Sequence, residues 1–253
     1  MKNLNRRQFL KFASVTALAA ALQTLVSPLA AAEKFFREPP WKGKKKYWGF
    51  AVDIDKCIGC GRCAKACKTE NDVPKEPFFF RTWVERYILR RPAGLEVTSP
   101  NGGIDGYPAL TSPETITKTF FVPKLCNLCD SPPCVQSCPV GATFKSEDGV
   151  VLVDRKWCVG CRYCIQACPY GVRYLHPVLH VADKCTLCYH RISRGLRPAC
   201  VEVCPTGARM HGDLSDPNSP LSKLRDTSHY QTLKPHMGTR PNLVYLNMDQ
   251  EVR

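Results

Sequence analysis

The apolar positions of this chain fall in short runs rather than in long helical stripes. Phe50-Ala51-Val52-Asp53-Ile54-Asp55-Lys56 and Val150-Val151-Leu152-Val153-Asp154-Arg155-Lys156 are rich in β-branched residues and predict two short strands. Phe80-Arg81-Thr82-Trp83-Val84-Glu85-Arg86-Tyr87-Ile88-Leu89 alternates in the two-residue period of a further strand. Pro92 to Pro113, with Asn101-Gly102-Gly103 and several prolines, predicts turns and an exposed loop. After Pro205 the chain is polar and broken by prolines until Leu243-Val244-Tyr245-Leu246, a candidate last strand.

One longer apolar stretch begins at Ala13, and the residues before it explain it. Asn5-Arg6-Arg7-Gln8-Phe9-Leu10-Lys11 resembles the twin-arginine export motif, usually Ser/Thr-Arg-Arg-x-Phe-Leu-Lys, and departs from it at Asn5. Ala30-Ala31-Ala32 offers a small-residue cleavage site before Glu33, so residues 1–32 read as a signal peptide and 33–253 as the mature chain. An uncleaved membrane anchor is the competing reading, but Gln23, Thr24, Ser27 and Pro28 make a poor spanning helix. No other stretch is long and apolar enough to cross a bilayer. The expectation is a periplasmic protein, exported already folded and held to the cytoplasmic membrane through its partners.

Charge at first suggests a different partner. The formal net charge is +14, the balance of 36 Lys and Arg against 22 Asp and Glu. Lys2, Arg6, Arg7 and Lys11 of the leader account for four of those charges, which leaves +10 on the rest. The sixteen cysteines then change the picture. A cubane of four irons ligated by four thiolates carries about −2, so four such sites add roughly −8. The basic excess is thus counter-charge for buried anionic cofactors rather than a phosphate-binding face, and nucleic acid is not expected as a partner.

Sixteen cysteines fall into four groups of four with none left over. Cys57, Cys60, Cys63 and Cys67 are spaced C-x₂-C-x₂-C-x₃-C, and so are Cys158, Cys161, Cys164 and Cys168, followed by Pro169. This is the bacterial ferredoxin run. Cys126, Cys129, Cys134 and Cys138 widen the middle gap to x₄ and end in Pro139; Cys185, Cys188, Cys200 and Cys204 stretch it to x₁₁ and end in Pro205. Three cysteines in a tight loop can reach three irons of one cubane. The fourth, opening or lying on a short helix that turns away, reaches the neighbouring cluster. Gly59 and Gly160 sit in the x₂ loops, where the backbone is expected to approach the cluster closely. Pro139 and Gly141, Pro169 and Gly171, and Pro205 and Gly207 bend the chain toward the next strand. Spacing alone leaves the pairing of groups open: one with four and two with three, or one with two and three with four.

Other uses of the cysteines fit less well. An oxidising compartment and an even count favour disulfides, but disulfide frameworks do not reproduce C-x₂-C-x₂-C-x₃-C-P. Zinc knuckles would leave the middle cysteines of groups one and three unexplained. No C-x-x-C-H haem attachment site occurs, since Tyr189 and then His190 follow Cys188. His190 is near group four in sequence and is read as a surface or packing residue before a cluster donor; His176, His180, His211, His229 and His236 form no ligand spacing. Lys56, Lys124, Lys156 and Lys184 each precede a group's first cysteine by one or two residues, either as cluster-stabilising charges or as solvated loop charges. No nucleophile elbow, phosphate loop or dinucleotide fingerprint is present, so no catalytic residue or small-molecule substrate is expected.

From about Tyr47 to Leu246 the four cysteine groups, in this order and with these gaps, resemble the four-cluster iron–sulfur subunit of respiratory complexes in the dimethyl-sulfoxide reductase family. Similar subunits serve tetrathionate, thiosulfate and polysulfide reductases, formate-dependent nitrite reduction and the sulfite-reduction-associated complex. The resemblance implies a nested pairing. Cys57, Cys60, Cys63 and Cys204 would hold one [4Fe–4S] cluster; Cys67, Cys185, Cys188 and Cys200 a second; Cys126, Cys129, Cys134 and Cys168 a third; and Cys138, Cys158, Cys161 and Cys164 a fourth. It also implies an α+β fold of two dicluster ferredoxin-like modules, one formed by about 47–67 plus 178–212 and the other by about 118–177. An insertion at 68–117 and a docking tail at 213–253 would complete the chain. Electrons would run between a quinone-active polytopic membrane subunit and a molybdopterin catalytic subunit or cytochrome-containing subunits. A freestanding soluble polyferredoxin is the alternative.

Overall fold

The computed structural model describes Gly43 and residues 45–252 apart from 77, 78 and 93; the export leader lies outside the described residues. β1, Trp48–Asp53, is buried along its whole length. It sits between β9, Arg209–Asp213, and β11, Leu243–Leu246, in a four-stranded sheet of order β10-β11-β1-β9 whose edge strand β10 is Tyr230–Gln231. β11 runs parallel to β1, Phe50 opposite Leu243 and Asp53 opposite Leu246, while β9 runs antiparallel, Trp48 opposite Asp213. A strand covered on both faces needs apolar residues in succession rather than in alternation, and Phe50, Ala51 and Val52 meet that need. Helix α6, Pro220–Thr227 (α1 to α5 are given below), is capped by the Ser219 hydroxyl, which accepts the Ser222 N–H at 3.1 Å. Residues expected as a docking tail therefore complete the sheet around β1.

The insertion forms its own sheet, of order β3-β2-β4, with β2 at Thr82–Arg90, β3 at Gly94–Thr98 and β4 at Ile116–Leu125. β2 matches the alternating run. β3 corrects the expectation of turns throughout 92–113: Leu95 and Val97 alternate with Glu96, but five residues between Pro92 and Pro100 are too few for a clear signal. β4 leads directly into Cys126, so the insertion sheet and the second cysteine group are continuous.

Two small hairpins complete the strands: β5, Thr143–Lys145, with β6, Val151–Val153, and β7, Tyr174–Leu175, with β8, Ala182–Asp183. The short helices are α1 at Arg62–Glu70, α2 at Pro133–Gln136, α3 at Tyr163–Gln166, α4 at Tyr189–Ile192 and α5 at Ala199–Glu202. α1 packs on α5, and α2 on α3. The fold is α+β, and those two contacts bring group one to group four and group two to group three.

Candidate metal centres

Each cysteine group is a loop that enters a helix. After β1 the loop closes with the Cys57 N–H donating to Ile54 C=O at 3.0 Å. Gly59 has φ +70°, and a Cβ there would lie 2.4 Å from the Phe121 ring of β4; Gly160 also has φ +70°, and its Cβ would lie 2.4 Å from the His180 carbonyl. Both glycines are thus required by backbone conformation and by protein packed on the loop, not only by the room a cofactor needs.

The helices hold the third cysteine of each group; in groups two, three and four this corrects the expectation that the fourth opens or lies on them, whereas Cys67 does lie on its helix. Cys134 is in α2, Cys164 in α3 and Cys200 in α5; only α1 is long enough to carry both Cys63 and Cys67. Pro132-Pro133 and Pro198 favour a helix start just before the third cysteine, and Pro139, Pro169 and Pro205 prevent continuation beyond the fourth. Cys138, Cys168 and Cys204 follow the helix end, their N–H groups bonding to the carbonyls of Val135, Ile165 and Val201. The same turn then recurs three times, closed by N–H bonds from Gly141, Gly171 and Gly207 to the carbonyls of those cysteines.

These turns and helix contacts gather cysteines that are distant in sequence. Cys57, Cys60, Cys63 and Cys204 line one cavity. Cys67, Cys185, Cys188 and Cys200 line a second, and Cys126, Cys129, Cys134 and Cys168 a third. Of the remaining four, Cys164 packs with Cys134, Val151 and Ala182, Cys158 lies against that cluster, and Cys138 and Cys161 are nearer the surface. All sixteen thiols are unbridged.

The donor chemistry fits an iron–sulfur cubane. Burial pushes the thiols of Cys57 and Cys185 up to about 11 and those of Cys129 and Cys200 up to about 12. Such groups become thiolates when iron replaces their protons. Cys138 and Cys204 differ: burial still acts upward, but backbone N–H groups of the turn after each cysteine outweigh it and hold the thiol below its ordinary value. Backbone N–H groups of Thr143, Ala182 and Leu187 point at the sulfurs of Cys138, Cys158 and Cys185, each at 3.4 Å. Arg209 Nη1 is buried with no protein acceptor, on a side chain lining the first cavity, where a cubane sulfide would accept it.

Several side chains around the centres carry no motif. Asn71 Nδ2 lies 3.6 Å from both Cys67 Sγ and Cys188 Sγ, and its Oδ1 accepts from Arg81. Arg173 Nη2 donates to Cys134 Sγ at 3.1 Å. The four lysines ahead of the groups divide. Lys184 is fully buried and Lys124 nearly so, paired with Glu85, whereas Lys56 and Lys156 are exposed. His190 faces Glu70 at 2.7 Å at the surface rather than a cysteine. Val84 and Pro123 of the insertion sheet line the first cavity, and Phe121 covers its loop, so the insertion shields that centre.

Four ferredoxin-type loops with an all-thiol donor set define an iron–sulfur electron carrier. Residues 56–142 and 117–214 each match a 4Fe-4S dicluster domain, and residues 3–22 match a twin-arginine translocation signal sequence. Two dicluster domains imply four [4Fe–4S] clusters. A tetrathionate reductase subunit of Salmonella typhimurium is 40% identical over 248 residues, 97% of this chain and 89% of its own length. A polysulfide reductase subunit of Wolinella succinogenes is 39% identical over 201 residues, covering 79% and 93%, and Protein NrfC of Escherichia coli is 40% identical over 198 residues, covering 78% of each. The protein belongs to this family of iron–sulfur electron-transfer subunits of reductase complexes. Among the described residues no helix is long and apolar enough to cross a membrane.

Proposed function

We propose that this protein relays electrons through four [4Fe–4S] clusters in a file. Cys57, Cys60, Cys63 and Cys204 hold the first; Cys67, Cys185, Cys188 and Cys200 the second; Cys126, Cys129, Cys134 and Cys168 the third; and Cys138, Cys158, Cys161 and Cys164 the fourth. The observation that carries this reading is that three cavities each join three cysteines of one group to the fourth cysteine of another. The fourth set follows by the same rule. Cys63 and Cys67 on one helix make the first and second sets neighbours. Cys126 and Cys185 lie in one buried cluster, which joins second to third, and Cys134 and Cys138 flank one turn between third and fourth. Cys60 and Cys161, the exposed cysteines, belong to the first and last sets, so the file has a surface-reaching end at each side. A fully thiolate-ligated cubane has no open coordination position and exchanges single electrons, so the protein conducts and its partners do the chemistry.

Membership of the family supports partners at both ends: a quinone-active polytopic membrane subunit at one, and a molybdopterin or cytochrome-containing subunit at the other. The protein works in the periplasm, attached to the membrane through that complex. Tetrathionate, polysulfide or another respiratory oxidant would then be reduced by a partner.

The test is mass spectrometry with metal analysis of what co-purifies with the tagged protein from gently solubilised membranes. A polytopic membrane protein with a molybdenum subunit supports the terminal-reductase reading. Cytochromes without molybdenum move it to the sulfite-reduction-associated type. A brown protein that emerges alone in the soluble fraction overturns the complex in favour of a free carrier.

A further inference from the structure

Besides Arg81, which is paired with Asp183, three cationic side chains lie buried among the cysteine sets: Arg209, Lys184 and Arg173, exposed by 2%, 0% and 5%. Arg209 Nη2 donates to Thr82 Oγ1 at 2.9 Å. Lys184 Nζ donates to the carbonyls of Val151 and Cys185. Arg173 bonds Cys134 Sγ and, more weakly at 3.4 Å, Thr143 Oγ1. None of these partners is a carboxylate. A buried cation without a counter-ion is strongly unfavourable, so its counter-charge should come from the anionic centres themselves.

Each cation lies at a different junction. Arg209 lines the first cavity, and its partner Thr82 lines the second. Lys184 immediately precedes Cys185 of the second set, and Val151, which it reaches, lines the third cavity. Arg173 lines the third cavity, and its partner Thr143 donates its own N–H to Cys138 of the fourth set. We propose that Arg209, Lys184 and Arg173 are a file of potential-tuning cations, one at each junction of the four-cluster chain. This rests on the cluster assignment above.

Electrostatics supports that placement. Arg209 Nη1 has no protein acceptor and sits on a side chain lining the cavity of Cys57, Cys60, Cys63 and Cys204, so a cluster held there is its available counter-charge. Arg173 Nη2 lies 3.1 Å from Cys134 Sγ of the third set, so a cluster held there is its nearest anion. An added electron makes a cluster more negative, so a fixed cation in a low-dielectric junction stabilises the reduced form. Shared between neighbours, it also offsets the repulsion between two reduced clusters, so no junction becomes a barrier. The sequence holds a trace of this device. Arg173 and Arg209 each follow the fourth cysteine of a group by five residues, in Cys168-Pro169-Tyr170-Gly171-Val172-Arg173 and Cys204-Pro205-Thr206-Gly207-Ala208-Arg209. Group two has Thr143 at that position, and Thr143 is the residue Arg173 reaches.

The experiment is an EPR-monitored potentiometric titration of the full-length holoprotein with Arg209→Gln, Arg173→Gln and Lys184→Met, each beside a charge-keeping Arg→Lys or Lys→Arg variant. Loss of charge should lower the reduction constant of the two clusters at that junction at least tenfold, a midpoint about 59 mV more negative for one electron. The distant clusters should stay within a fraction of that, and the charge-keeping variant should recover most of the change. Unmoved potentials, equal shifts in the neutral and charge-keeping variants, or a uniform shift of all four clusters would overturn the proposal. Native protein labelled with ¹⁵N-arginine gives a readout that needs no variant to fold. Pulsed EPR of the reduced clusters should detect ¹⁵N coupling, and its absence overturns the contact. Wild-type protein short of sixteen irons would instead overturn the cluster assignment beneath it.

Discussion

Arg81, the residue before β2, and Asp183 of β8 form a buried two-pronged ion pair, Arg81 Nη2 standing 2.9 Å from both carboxylate oxygens and Nε 3.3 Å from one. The pair is extended at both ends. Arg81 Nη1 donates to Asn71 Oδ1 at 2.9 Å, and Asn71 reaches the sulfurs of Cys67 and Cys188; the Tyr174 hydroxyl donates to Asp183 at 2.8 Å. A line of charge-assisted bonds thus ties the inserted sheet to the second cysteine set.

Breaking that pair should cost far more than a surface ion pair. Asp183→Asn leaves a buried guanidinium without its counter-charge, an expected loss of about 3–5 kcal/mol. Thermal bleaching of the cluster absorbance should come at a clearly lower temperature, and the double replacement Arg81→Leu with Asp183→Leu should recover part of the loss. A shift no larger than that of an exposed pair, about 1 kcal/mol or less, would contradict the role given to it.

Cys204 distinguishes the nested pairing from its rivals. Cys204→Ser should change the EPR signal that Cys60→Ser changes and leave the one altered by Cys200→Ser. If Cys204→Ser and Cys200→Ser disturb the same cluster, ligand sharing between groups one and four is wrong.

Gly160→Ala should be the harsher of two glycine replacements. Both positions need a positive φ, a strain of about 1–3 kcal/mol for alanine. At Gly59 the added methyl meets the Phe121 ring, which can tilt, whereas at Gly160 it meets the His180 backbone carbonyl. Iron content per purified protein should fall more in Gly160→Ala than in Gly59→Ala; the reverse order would show that the ring is the more rigid neighbour.

His211, half-buried and stacked on Trp48 at 5.8 Å, should make the fold acid-sensitive. Burial, with Arg197 nearby, holds its value down at about 4 against an ordinary 6.5. Between those values the unfolded chain binds the proton and the folded chain does not, so the contribution is present above about pH 6.5 and lost as pH falls toward 4. His211→Gln should therefore lose less thermal stability than the wild type between pH 7 and pH 5. Equal losses would mean that His211 titrates normally.

Much of this arrangement is legible in the sequence because thiol ligation is written in spacing. The runs around Val52, Val84, Leu152 and Val244 all lie in strands, since each carries enough β-branched or alternating residues to be read locally. β3 is not legible, being short and held by its pairing with β2. Nor is the role of the residues after Asp213 in the β1 sheet, because a parallel partner far along the chain leaves no local mark. The helix position of the third cysteines is obscured because the prolines that bracket them are equally at home in turns. Asn71, Arg81 and Asp183 meet only through tertiary contact. Arg173 and Arg209 do have a signal, five residues past the fourth cysteine, in the repeat itself.

The proposal that all sixteen cysteines ligate iron in four cubanes is the one on which everything else depends. Mössbauer spectroscopy of ⁵⁷Fe-enriched, anaerobically purified protein, with iron and acid-labile sulfide counted per polypeptide, tests it most directly. Sixteen irons and sixteen sulfides are expected, all with [4Fe–4S]²⁺ parameters in the oxidised state and four unpaired spins on full reduction. Eight irons, a [3Fe–4S] component in undamaged protein, or zinc in place of iron would contradict it.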